Sequence, residues 1–185
     1  MNKIITACFL MLVLTATLNA QELKSYIDPY GKFGYRDTKG KPVIEAKYNS
    51  AKDFYENKGA VQLNGKWGYV DETGKEIIPL KYDDAFNFSN GLAIVKFKLK
   101  LGCINASGKE ITPIKYDDIF GPFEGLAAVK VGEKWGFIDK TGKEVIAVKF
   151  DGISKYAAPK FENGKAKVKK DGREIYIDKT GKEVN

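Results

Sequence analysis

The sequence contains no histidine. That absence removes Ser-His-Asp catalysis, histidine-ligated zinc and an imidazole acid or base. Cysteine is nearly as scarce, with Cys8 and Cys103 the two in 185 residues. No stretch carries an apolar stripe at i, i+3, i+4 and i+7 over a helical length, so helices are not expected to build the core. The sustained apolar run from Ile4 to Leu18 is too short and wrongly flanked for a membrane anchor. Acidic residues are outnumbered, 24 against 31 Lys and Arg, for a net charge of +7.

Lys3, the apolar run and Ala20 before Gln21 read as a secretory signal over residues 1–20, which predicts a secreted or periplasmic protein. One of the 31 basic residues and none of the 24 acidic ones falls in this segment, so residues 21–185 carry a net +6. Their length suits one domain. Cys103 is then the only cysteine, which excludes an intramolecular disulfide. It stands where neighbouring copies of a repeat carry Tyr69 or Phe137, as a small apolar substitute.

That repeat organises the rest. Gly34, Gly68, Gly102 and Gly136 are spaced by 34, and so are Asp37, Asp71, Asn105 and Asp139, and Gly40, Gly74, Gly108 and Gly142. A fifth copy has Asp178 and Gly181, each 39 residues further on. Such a period signals an array whose units cannot bury a core alone. Glycine, aromatics and β-branched residues in short apolar runs make the units β. Three strands are predicted per unit. Strand a is Lys66 to Asp71, b runs from Glu76 to Tyr82, and c is Leu92 to Phe97. The DETG-type segments between a and b suit a type I turn closed by a left-handed glycine. Units are expected near 31–64, 65–98, 99–132 and 133–171, with a partial unit at 172–185. The chain thus opens on a lone strand c at 23–28 and closes on a and a stub of b. A strand stitched from both termini would close a propeller-like ring, which is preferred here to an open β-solenoid array.

KWGYVDETGKEIIP at 66–79 and KWGFIDKTGKEVI at 134–146 resemble the WG repeats, or KWG repeats, of bacterial proteins. The residues that carry the likeness are Trp67, Gly68, Asp71 and Gly74, and Trp135, Gly136, Asp139 and Gly142; in weaker form it spans about 31–185. The resemblance implies an interaction scaffold and carries no catalytic motif. Departures are visible: Phe33 and Leu101 replace Trp, and Glu174-Ile175 stands for Trp-Gly. Five extra residues lie between Asp151 and Gly164, in a loop with Ser154, Tyr156 and Pro159.

Candidate chemistry follows the repeat. The turn Asp residues offer one carboxylate each, which fits a hydrogen-bonded turn better than calcium. Asp83-Asp84 and Asp117-Asp118 have the composition of a glycosidase pair, but they follow Tyr in successive units, so a repeated turn explains them better. In-phase Trp67, Trp135, Tyr82 and Tyr116 read as core before sugar platforms. Lysines recur in three columns, one of them Lys41, Lys75, Lys109 and Lys143. The interaction candidates are Lys75, Lys109, Lys143 and Tyr156, and no catalytic, cofactor or metal residue is expected. The expected function is a non-catalytic extracytoplasmic binding scaffold for protein–protein interaction at the cell envelope. The alternative is a carbohydrate or anionic polysaccharide module; a hydrolase would need convergent carboxylates. Neither nucleic acid nor membrane insertion after signal removal is expected.

Overall fold

The computed structural model describes residues 22–154 and 157–185; the signal-like segment and Tyr156 lie outside them. The described chain is all β. Its strands are β1 Lys24–Ile27, β2 Phe33–Arg36, β3 Pro42–Tyr48, β4 Ser50–Ala51, β5 Gly59–Leu63 and β6 Lys66–Val70. There follow β7 Glu76–Tyr82, β8 Asp84–Ala85, β9 Leu92–Phe97, β10 Lys100–Asn105, β11 Asp118–Phe123 and β12 Leu126–Val131. The last are β13 Lys134–Asp139, β14 Glu144–Asp151, β15 Phe161–Glu162, β16 Lys165–Lys170, β17 Arg173–Asp178 and β18 Glu183–Val184.

The strands group as antiparallel meanders, β1-β2-β3, β4-β5-β6-β7, β8-β9-β10, β11-β12-β13-β14 and β15-β16-β17-β18. Among the described residues a single pair, Asp151 with Lys169, joins the fourth meander to the fifth. Within each sheet the order is c, then a, then b, usually led by a two-residue strand. The a-b-c unit therefore straddles two sheets. β1 is not a lone strand, because Lys24 pairs with Arg36 and Ile27 with Phe33 across the Asp28–Lys32 turn. The closing pair implied between the strand at 23–28 and strand a of the partial unit at 172–185 is not formed, since β17 lies between β16 and β18. A tight hairpin to the adjacent strand needs far less loop closure than a pairing across the whole chain.

The Trp-Gly pair owes its glycine to a bulge. Trp67 opposes Tyr82 and Tyr69 opposes Ile78, so β7 carries extra residues against β6 and presses its backbone onto Gly68. A Cβ there would lie 2.5 Å from the Ile78 carbonyl oxygen and 2.8 Å from the Leu80 nitrogen. Gly34 and Gly136 face the same bulge, with closest approaches of 2.5 and 2.6 Å. In the fifth sheet β18 reaches only Tyr176 and Ile177, so no bulge stands over Ile175, which sits at the glycine position.

Sheets pack face to face. Tyr35, Ile44 and Tyr48 of the first meet Val61 and Val70 of the second. Trp67, Tyr69, Ile78 and Tyr82 of the second meet Val95 and Ile104 of the third. Cys103 and Tyr116 meet Val129 and Ile138, and Trp135, Phe137 and Ile146 meet Val168 and Ile177. The a–b turn glycine rests on the isoleucine of the sheet before it, Gly74 on Ile44, Gly108 on Ile78 and Gly181 on Ile146.

The outer faces of the first and last sheets break this pattern. Ile27 is 60% exposed, Arg36 takes the place of Val70, and nothing lies within 4 Å of a Cβ on Gly40. On the last sheet Tyr176 is 47% exposed, and Lys167 and Glu174 pair at 2.5 Å where Ala60 and Trp67 are buried in the second. Charged outer faces are what terminal repeats of a stacked array require.

The Tyr82 hydroxyl is buried and has no hydrogen-bond partner among the described residues, and Phe150 occupies its position in the fourth sheet. A buried donor with no partner costs its desolvation. Tyr82→Phe is therefore expected to be neutral or stabilising by up to about 1 kcal/mol in urea unfolding; a loss above that would reveal a partner for the hydroxyl.

Candidate functional site

The three lysine columns have different fates. In the first, Lys66 reaches Asp83 at 2.6 Å, Lys134 reaches Asp151 at 2.8 Å, and Lys100 pairs with Asp117. In the third, Lys47, Lys81, Lys115 and Lys149 lie over the rings of Tyr48, Tyr82, Tyr116 and Phe150 at 5.1–5.3 Å. Lys75, Lys109 and Lys143 are exposed and, among the described residues, their amines have no carboxylate partner. Their backbone amides donate to Asp71 at 3.1 Å, Asn105 at 3.0 Å and Asp139 at 3.2 Å. These residues close the a–b turns, which the Gly–Ile contacts bring side by side along one end of the sheets.

The carboxylates are absorbed by structure. Asp139 Oδ1 accepts the Thr141 hydroxyl at 2.6 Å and the Thr141 and Lys143 amides, and Asp71 and Asp178 repeat this arrangement. The threonine hydroxyl, more than any other contact, holds these carboxyls below the usual range. Their support is therefore present at neutral pH and lost only as pH falls through the lowered pKa. Asp83 accepts from Lys66 and the Lys98 amide, whereas Asp84 caps Ala85 and pairs with Lys52 at 3.4 Å. The Asp-Asp pairs thus serve different partners and do not converge. Among the described residues no three His, Cys, Asp or Glu are grouped to hold a metal. Trp67 and Trp135 are buried, 8% and 6% exposed, so neither offers a ring to solvent.

A feature the repeat conceals lies between the third and fourth sheets. The other junctions hold an edge-to-face aromatic pair: Tyr35 with Phe54 at 4.7 Å, Tyr69 with Phe88 at 4.8 Å and Phe137 with Phe161 at 4.8 Å. Here Cys103 and Pro122 occupy the two positions. Glu56 accepts the Gly91 amide of the next sheet at 2.9 Å and Glu124 accepts that of Gly164 at 3.0 Å. The corresponding Asn90 donates instead to Ser89 beside it. A cleft of about 710 Å³ remains, lined by Phe86, Leu92, Ile94, Cys103, Ile119 and Ile138, with Ser89, Asn90 and Lys140 among its polar groups. Burial pushes the Cys103 thiol pKa up, so it is a neutral wall of the cleft and not a thiolate.

The third sheet is also irregular on its far side. Thr112 stands where Ile78 and Ile146 stand elsewhere, and its hydroxyl accepts the Cys103 amide at 2.8 Å. Strand b there is reduced to the isolated pairs Ile104–Glu110 and Leu101–Tyr116. Cys103 stands out from the repeat in sequence, whereas Pro122 is marked only by its position three residues before Gly125, which matches Phe88 before Gly91 and Phe161 before Gly164.

The family model for the WG containing repeat matches residues 33–67, 67–98, 102–135 and 135–173. No curated protein matches the chain. Among solved structures, Hsv2 from Kluyveromyces marxianus, a β-propeller, is similar with a TM-score of 0.53 and 15% identity over 90% of this chain and 59% of that one. Hsv2 from Kluyveromyces lactis is similar at a TM-score of 0.47 and 13% identity, over 89% of this chain and 60% of that one. A Bacteroides caccae protein of unknown function has a TM-score of 0.36 and 15% identity, over 89% and 72%. The chain thus spans about three-fifths of the Hsv2 proteins it matches. At these identities the likeness concerns the fold alone, a propeller-like arrangement of sheets.

Proposed function

The chain belongs to the WG-containing-repeat family, and on that footing we propose that it is a non-catalytic extracytoplasmic scaffold that binds protein partners at the cell envelope. The observation that supports this most is the column of Lys75, Lys109 and Lys143 on successive turns, each with an uncommitted amine at one end of the array. Folding gives two other lysine columns partners and leaves this one to solvent. A row of cations on rigid turns meets acidic residues of a partner without reorganising. A signal-like segment at residues 1–20 supports an extracytoplasmic location for this surface.

The test is a pull-down from envelope extract with residues 21–185 as bait, beside the triple variant Lys75→Glu, Lys109→Glu, Lys143→Glu. A partner held by the wild type and lost by the variant is expected. Equal capture by both would reject the lysine column as the binding surface.

The same amines favour a second reading, an anionic polysaccharide module. Cations that displace condensed counterions give an affinity that falls steeply with salt. For a polyanion such as heparin, three contacts predict a loss of about 20- to 40-fold in affinity between 50 and 200 mM salt. Binding indifferent to salt, or none at low salt, would exclude that reading.

A further inference from the structure

The cleft between the third and fourth sheets is the junction at which both rings and the carboxylate clamp are absent. The geometry points to a binding site there for an aromatic side chain carried on an acidic segment of a partner protein. This rests on the scaffold reading and names what the scaffold would hold.

The chemistry of the guest follows from the other junctions. Each is filled by two rings in edge-to-face contact, 4.7–4.8 Å between centroids. Replacing both by Cys103 and Pro122 keeps the apolar walls and removes the rings. Phe86, Leu92, Ile94, Ile119 and Ile138 still surround the space. A planar ring recovers there the contacts that Tyr69 makes one junction earlier. The cleft volume of about 710 Å³ falls in the range of ligand-sized pockets.

The charge of the guest follows from the mouth. Asp139 and Lys140, on the a–b turn of the fourth sheet, line the cleft, so it opens at the end that bears the uncommitted lysines. The Asp139 carboxylate is already held by Thr141 and the Lys143 amide. Lys140, Lys109 and Lys143 have no carboxylate partner among the described residues. An aromatic residue flanked by Glu or Asp matches both features. A second copy of this chain does not, because its own charge is +7 over 185 residues.

Fluorescence anisotropy with a labelled Glu-Glu-Tyr-Glu-Glu peptide tests this, beside versions with Ala for Tyr and with Lys for Glu, and free N-acetyltyrosinamide. The acidic tyrosine peptide is expected to bind at least about ten-fold tighter than every control, a margin of one decade in Kd. Cys103→Phe, which restores a ring to the junction, is expected to melt no lower than wild type and to lose the peptide. Ser89→Trp, at the exposed mouth, is expected to lose it without touching the core. No binding by any peptide, equal binding by the Tyr and Ala forms, or undiminished binding in a folded Cys103→Phe or Ser89→Trp protein would overturn the assignment. So would N-acetyltyrosinamide matching the peptide, which would make this a small-molecule pocket. The pull-down is independent: a partner retained by both cleft variants but lost by the lysine triple variant leaves the scaffold reading intact and removes the cleft from it.

Discussion

Gly136→Ala is expected to destabilise the domain by about 3 kcal/mol or more, beyond the ordinary cost of an added methyl in a packed site. The new Cβ would lie 2.6 Å from the Ile146 carbonyl oxygen and 2.7 Å from the Val148 nitrogen. Both are backbone atoms of a bulge fixed by pairing to β13, so no side chain can turn aside to make room. Gly65→Ala is the control. Its φ is +76° but nothing lies within 4 Å of a Cβ, so only the left-handed strain of about 1 kcal/mol applies. Urea unfolding of the two variants should rank them in that order. If Gly136→Ala cost no more than Gly65→Ala, the bulge would not be the reason for the glycine of the Trp-Gly pair.

Trp135→Ala should cost about 3–5 kcal/mol, as a large-to-small change inside a core. Trp135 is packed with Phe150, Phe137 and Val168 at the junction of the fourth and fifth sheets. The Lys130 amine lies 5.8 Å from its ring, and a Cβ on Gly152 would come within 3.0 Å of its indole nitrogen. Glu174, its counterpart on the outer face of the fifth sheet, is exposed and paired with Lys167. Exposed ion pairs contribute little, so Glu174→Ala should leave the unfolding midpoint nearly unchanged. A loss below about 1 kcal/mol for Trp135→Ala, within the range of surface changes, would instead place its ring on a ligand-facing surface.

Much of this was readable from the chain. The period in Gly68, Asp71 and Gly74 located the a–b hairpin, because a left-handed glycine and an Asp that accepts its own turn's amides are local requirements. Burial of Trp67 and Trp135 followed from their phase. The phase of the sheets did not follow, because a repeat of period 34 is equally regular cut as a-b-c or c-a-b. The pairing of Lys24–Ile27 with Phe33–Arg36, repeated by Gly59–Leu63 with Lys66–Val70, decides it. The fates of the lysine columns were hidden for a similar reason: whether Lys66 meets Asp83 depends on where two strands stand side by side, 17 residues apart in sequence. The cleft was half legible. Cys103 stood out against Tyr69 and Phe137, but its missing partner ring at Pro122 belongs to the next sheet and has meaning only once the two are known to face each other.

Each sheet packs on its sequence neighbours, and among the described residues no strand pair joins the first sheet to the last. Hydrogen exchange of a variant lacking residues 22–28 tests this most directly, because amide protection reports opening region by region. The deletion removes β1 and Leu23 from the first sheet, far in the topology from the Trp135, Phe137 and Val168 cluster. Amides of β13, β16 and β17 are predicted to keep wild-type protection while those of β2 and β3 lose theirs. Loss of protection in β16 and β17 to the same extent as in β2 would contradict the open array and require a closed ring.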